Sequence, residues 1–161
     1  MPDATLVAKM TPEEKEAYHR EAETRFRMLE YQRPQSDKVK DVAWLMQTDK
    51  IVVAVQVVKD GGENNLHYHI NADQVYFVLK GRMRFYGPGD VLLGEVGPNQ
   101  GVFMPAGSRY WFEKAGTEDL EVLQQVFKSG KSERINIDAH KAWMEDDILK
   151  IYEAPPAGSA R

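Results

Sequence analysis

Residues 61–81 read Gly61-Gly62-Glu63-Asn64-Asn65-Leu66-His67-Tyr68-His69-Ile70-Asn71-Ala72-Asp73-Gln74-Val75-Tyr76-Phe77-Val78-Leu79-Lys80-Gly81. Two short runs, 66–70 and 74–79, are rich in β-branched and aromatic residues, and glycines punctuate the stretch at both ends. Each run predicts a strand. Residues two apart on a strand project to the same face, so the imidazoles of His67 and His69 converge on one point. A pair held this way chelates a divalent ion with little ordering cost, because the sheet has already fixed the backbone. The pair alone says little, since two neighbouring surface histidines read the same way. The wider spacing says more: Gly61 precedes His67 by six residues, Gln74 follows His69 by five, and Gly81 follows Gln74 by seven.

Outward from this stretch the period stays short. Residues 42–46, 51–58, 82–86, 90–96, 101–104, 109–113 and 120–127 are further strand candidates. Between them lie turn signals such as Asp60-Gly61-Gly62, Gly87-Pro88-Gly89, Gly97-Pro98-Asn99 and Pro105-Ala106-Gly107. Close-set strands with no intervening helix predict an all-β, antiparallel sandwich or barrel. Residues 1–39 form an N-terminal arm. Within it Thr11-Pro12-Glu13-Glu14 is a capping box, and Tyr18, Ala22, Phe26 and Leu29 form an apolar stripe on a helix ended by Pro34. Residues 40–127 form the β-domain, and 128–161 a C-terminal extension. Ser129-Gly130-Lys131-Ser132 reads there as a turn, and Asp138 as the cap of a short helical tail carrying Ala142, Trp143, Ile148 and Leu149.

The glycine, histidine and glutamine spacing resembles the cupin superfamily, whose first motif is G-x5-H-x-H-x3,4-E-x6-G. Residues 61–81 match every marked position except that Gln74 stands in place of Glu. The second motif, G-x5-P-x-G-x2-H-x3-N, matches only at Pro105 and Gly107; Asn99, Tyr110 and Lys114 replace its Gly, His and Asn. The resemblance spans about residues 40–127. It implies a single jelly-roll-like conical β-barrel with a small-molecule pocket and, in many members, one divalent transition metal ion (Zn, Fe, Ni, Mn or Cu). Carried over, the metal ligands are His67, His69 and Gln74, with Tyr110 in the remaining ligand position. An amide oxygen is a weaker and neutral donor, so such a site loses affinity for hard ions but leaves a bound ion more Lewis acidic. Small cupins that process unsaturated uronates also have His-x-His followed by Gln. Tyr110 has three roles open to it: ligand, proton donor, or filler where a ligand was lost. Alternation places Tyr76 and Val78 beside Gln74 in the pocket, and Phe112 beside Tyr110.

Composition narrows the function. The chain has 161 residues, 21 Lys+Arg against 25 Asp+Glu, a formal charge of −4 and no cysteine. That balance disfavours a nucleic-acid partner, and the absence of cysteine rules out disulfides and thiolate sites. No apolar run is long enough for a membrane span, and the opening residues lack signal-peptide character, so a cytoplasmic location is expected. Arg82, Arg84 and Arg109 are read as solvated. The apolar material outside the β-domain suggests a homodimer. Three functions follow for a small-molecule substrate. The first is a metal-dependent enzyme doing non-redox cyclase or isomerase chemistry on a carbonyl or enol compound. The others are a dioxygenase using Fe or another redox metal, and a non-catalytic binding cupin with a degenerate site.

Overall fold

The computed structural model describes residues 3–137 and 148–152. The described residues fall into two units, one ending at Leu29 and the other beginning at Glu30. The first holds α1 (Ala4–Ala8) and α2 (Pro12–Glu23). The capping box forms: Glu14 N donates to Thr11 Oγ1 at 3.2 Å, and Thr11 N donates to Glu14 Oε2 at 2.7 Å. The helix stops at Glu23, well before Pro34, so the stripe breaks before Phe26 and Leu29. Thr24 supplies a reason. Its hydroxyl donates to Glu21 O at 2.7 Å, a local bond that competes with continuation of the helical ladder.

The second unit is built of strands β1 (Lys40–Gln47), β2 (Ile51–Val58), β3 (His67–Lys80), β4 (Arg82–Tyr86), β5 (Leu92–Val96), β6 (Gly101–Met104), β7 (Trp111–Ala115), β8 (Leu120–Asn136) and β9 (Ile148–Tyr152). They form a six-stranded sheet ordered β6-β3-β8-β2-β1-β9 and a three-stranded sheet ordered β5-β4-β7. All pairs are antiparallel except β1 with β9, giving the predominantly antiparallel all-β architecture the strand spacing predicts. The inner faces of the two sheets share one core: Val58, Tyr76, Val78, Met83, Phe85, Met104, Tyr110, Phe112, Leu120 and Val122. Among the described residues no helix is long and apolar enough to cross a membrane.

Gly81, which closes the opening stretch, is needed on two counts. Its φ of +76° is costly for any residue with a Cβ, and an added Cβ would meet Asp119 O at 2.5 Å. Residues 30–39 fasten to the start of β8: Tyr31 Oη donates to Glu121 at 2.8 Å, and Arg33 pairs with Asp119 at 2.6 Å and Glu121 at 3.1 Å.

Strand assignments also differ from the sequence reading. The runs 66–70 and 74–79 belong to one long strand, β3. Strand β8 continues through Ser129–Ser132 to Asn136, because its far half pairs with the histidine end of β3. The turn residues there form a detour, with 129–132 standing opposite Asn71 alone. Ile148 and Leu149, read as helical, lie in β9, where Ile148 pairs with Lys40 and Leu149 with Asp41. An apolar run of Ile, Leu and Ile with Tyr suits a sheet edge as well as a helix face when so few residues show no period. The remainder of the expected helical tail, residues 138–147, lies outside the described residues.

Candidate functional site

Position in β3 alone would separate the candidate ligands. His67 and His69 are odd-numbered and Gln74 is even-numbered, so an unbroken strand would send them to opposite faces. The irregularity at Asn71 reverses the parity. Asn71 has φ of +54°, a conformation asparagine tolerates, and the β3–β8 register shifts between Ile70 and Ala72. Beyond it Ala72, Gln74, Tyr76 and Val78 are all buried, at 2% exposure or less. His67 is buried on the same side, at 1%. The detour at 129–132 accommodates this reversal, with Asn71 Nδ2 donating to Lys131 O at 3.1 Å.

Tyr110 arrives by backbone pairing. Tyr110 N donates to His67 O at 3.0 Å, and His67 N donates to Tyr110 O at 3.1 Å. Gly107 N donates to His69 O at 2.8 Å, which holds the preceding turn in place. The rings follow the backbones. Centroids lie 5.1 Å apart for His67 and His69, 4.4 Å for His67 and Tyr110, and 6.5 Å for His69 and Tyr110. Phe112, fully buried, stands edge-on to Tyr76 at 5.2 Å. Trp111 points elsewhere, stacking on Tyr86 at 4.2 Å.

A neutral amide ladder crosses this interior. Gln56 Nε2 donates to Gln124 Oε1 at 2.6 Å. Gln124 Nε2 donates to Gln74 Oε1 at 2.9 Å and to Tyr76 Oη at 3.2 Å, and the Tyr76 and Tyr110 hydroxyls lie 3.5 Å apart. Gln56 and Gln124 drew no attention in the sequence, although both fall at alternating positions within apolar strand runs. A buried Gln there demands partners.

Burial sets the protonation states. It pushes His67 down to about 3, with the nearby Arg134 charge adding to the effect, and His69 down to about 4 for the same two reasons. Both imidazoles are neutral at pH 7. His67 Nδ1 lies 2.7 Å from Asn65 O, which only accepts, so Nδ1 carries the proton and Nε2 keeps its lone pair. Burial raises the Tyr110 phenol well above its ordinary range, so it keeps its proton. Lys40, buried at the start of β1, lies with its Nζ 5.3 Å from the Phe112 ring centre; burial and Arg134 pull it down to about 7, against an opposing contribution from Glu63.

The donor set fits a borderline divalent ion better than a hard one. Two neutral imidazoles are typical ligands for such ions, and His67 has its second nitrogen tied to a carbonyl, as metal-bound histidines commonly do. Gln74 Oε1 accepts from Gln124 and retains one lone pair. A protonated phenol is a poor ligand, so Tyr110 fits a donor role better. Among the described residues no three His, Cys, Asp or Glu side chains gather as a metal group, so a third ligand beside the imidazoles would be of another type, such as the Gln74 amide.

Arg134 was missed in the sequence. It stands opposite His69 in the β3–β8 register, on a segment read there as an extension. The arginines that the sequence reads as solvated lie elsewhere: Arg84 pairs with Glu95 at 2.9 Å, Arg82 with the same carboxylate, and Arg109 is exposed.

Residues 54–125 match the family model described as a cupin domain. The chain contains a cupin domain. Solved structures share its fold. An uncharacterized double-stranded β-helix protein from Klebsiella pneumoniae is 19% identical, with a TM-score of 0.59 over 72% of this chain and 93% of that one. An RmlC-like cupin protein from Desulfovibrio desulfuricans is 19% identical, with a TM-score of 0.52 over 63% and 97%. KdgF from Halomonas sp. is 16% identical, with a TM-score of 0.50 over 58% and 84%. No curated protein matches the chain by sequence. The cupin match takes in both histidines, Gln74 and Tyr110, and ends before Arg134.

Proposed function

We propose that this cupin holds one divalent transition ion on His67, His69 and Gln74 and carries out non-redox chemistry, of cyclase or isomerase type, on a small carbonyl or enol compound. The observation that carries the reading is the Asn71 irregularity, which lets the side chains of His67, His69 and Gln74 share one face of β3. A bound ion would supply Lewis acidity, undiminished by any carboxylate ligand.

The chain's own residues supply the rest. Tyr110 holds a proton on its hydroxyl, beside His67 and 3.5 Å from the Tyr76 hydroxyl. A phenol so placed donates to a substrate oxygen on which negative charge develops. Tyr76 in turn accepts from Gln124 and holds its hydroxyl beside that of Tyr110. Phe112 and Val78 wall the interior with apolar surface, which keeps out water and strengthens each polar contact.

The test is turnover under nitrogen, followed by NMR, with a panel of β-dicarbonyl, keto and enol compounds. The reading expects activity without oxygen, loss in His67→Ala and Gln74→Ala, and a fall in kcat with little change in KM for Tyr110→Phe. Full activity in metal-stripped protein overturns it. A second reading, a binding cupin without catalysis, draws on Tyr110, whose buried phenol occupies the family's fourth ligand position. It predicts ligand binding with no turnover.

A further inference from the structure

Elsewhere in the second unit Arg33 has Asp119 and Glu121 as partners, and Arg82 and Arg84 share Glu95. Arg134 has none. Among the described residues no carboxylate lies within ion-pair distance of it. It is nonetheless close to the site. Directly opposed residues of an antiparallel pair share a face, which puts Arg134 on the side of His69. Its charge is felt by both imidazoles, by Lys40, and by the phenols of Tyr76 and Tyr110. The residue as a whole is exposed, while its guanidinium is desolvated enough to fall below its ordinary value. Arg134 therefore stands at the boundary between that interior and the surface.

Behind it the charges nearly cancel. The imidazoles, amides and phenols are neutral, Lys40 is a second cation within reach, and Glu63 is the acid that opposes it. A divalent ion on neutral ligands would add further positive charge beside Arg134. A partly desolvated cation without a counter-charge is costly, so a ligand that brings its own anion is favoured there.

We propose that the molecule this site takes is a carboxylate, gripped by Arg134 with its reacting carbonyl or enol end turned toward His67, His69 and Tyr110. The inference deepens the function proposed above and rests on the same barrel interior. One planar guanidinium matches the two oxygens of one carboxylate. A phosphate, with more charge and more acceptors, calls for several cations at one point. Because the carboxylate and the ion each offset charge that opposes the other, the two bind with positive coupling, and the coupling is reciprocal.

The test is calorimetric titration of the full chain, zinc-loaded and zinc-free, with pyruvate and with methyl pyruvate, which keeps the keto group and lacks the charge. Pyruvate is expected to bind about tenfold or more tighter than its ester, the effect of one charge-assisted hydrogen-bonded pair. Arg134→Gln should erase most of that preference and Arg134→Lys should restore part of it. Zinc alone should bind Arg134→Gln more tightly than the parent chain, because a repelling charge is gone. Equal binding of acid and ester, no measurable binding of pyruvate, an unchanged preference in Arg134→Gln, or displacement of pyruvate by equimolar phosphate each overturns the inference. Zinc binding with no charge preference defeats this inference alone. An Arg134-dependent preference in a chain that binds no zinc supports it and defeats the metal reading instead.

Discussion

Exchanging Gln74 for glutamate, the residue the cupin motif carries at that position, separates two consequences of one placement. The side chain is 1% exposed and its oxygen accepts from Gln124 Nε2 at 2.9 Å. A carboxylate there would find that donor, the Tyr110 hydroxyl and the nearby guanidinium of Arg134. Full burial raises a carboxyl by roughly 3–5 pH units, and those partners return part of it. A net rise of about 2 units corresponds to about 3 kcal/mol, at about 1.4 kcal/mol per unit. The sign follows from linkage. An acid with a raised folded-state pKa costs nothing below its unfolded value near 4.3, and the full amount once pH exceeds the folded value. Metal-free Gln74→Glu should thus match the parent near pH 4 and melt roughly 6–12 °C lower at pH 7. With zinc present the order should reverse, because the carboxylate now faces a cation, and affinity should rise about tenfold or more. Differential scanning fluorimetry across pH and zinc titration by calorimetry measure both halves. Destabilisation with zinc affinity unchanged would refute the reasoning, since it would show Gln74 to be buried but not aimed at the ion.

Other outcomes follow from the same interior. Gln124→Leu removes the partner of Gln56, Gln74 and Tyr76 together and should cost about 2–5 kcal/mol in urea unfolding. Tyr76→Phe leaves Gln124 bonded to Gln74 and should cost about 1 kcal/mol; equal losses would contradict the ladder. Lys40 is held at about 7, chiefly by burial, so between there and its unfolded value of 10.5 the unfolded chain binds the extra proton. Stability should therefore rise with pH across that window, by at most about 1.4 kcal/mol per pH unit. Lys40→Met should lack that component; the same slope in both proteins would mean Lys40 titrates normally.

Much of the β-domain was legible because its signals are local. Residues 51–58 and 82–86 are β-branched or aromatic runs closed by turns, and the strands have those same bounds. The motif glycines were equally plain, since positive φ at Gly61 and Gly81 leaves little choice of residue. Register was the part out of reach. Asn71 reads as a break between two strands, and only the pairing with β8 reveals a single strand whose parity reverses there. Arg134 stayed hidden for the same reason. Lys128–Glu133 is polar and contains a glycine, so nothing local marks it as a strand, and its value lies in a partner distant in sequence. The helix end was misplaced because the apolar spacing runs on past Thr24 while the hydrogen bonding does not.

The most direct measurement is X-ray absorption at the zinc edge on the full chain reconstituted with one equivalent of zinc. The account expects two imidazole nitrogens at about 2.0–2.1 Å, with the remaining scatterers oxygen. His67→Ala and His69→Ala should each remove one nitrogen. An ion with no imidazole in its first shell, or a chain that retains no zinc after dialysis, would contradict it.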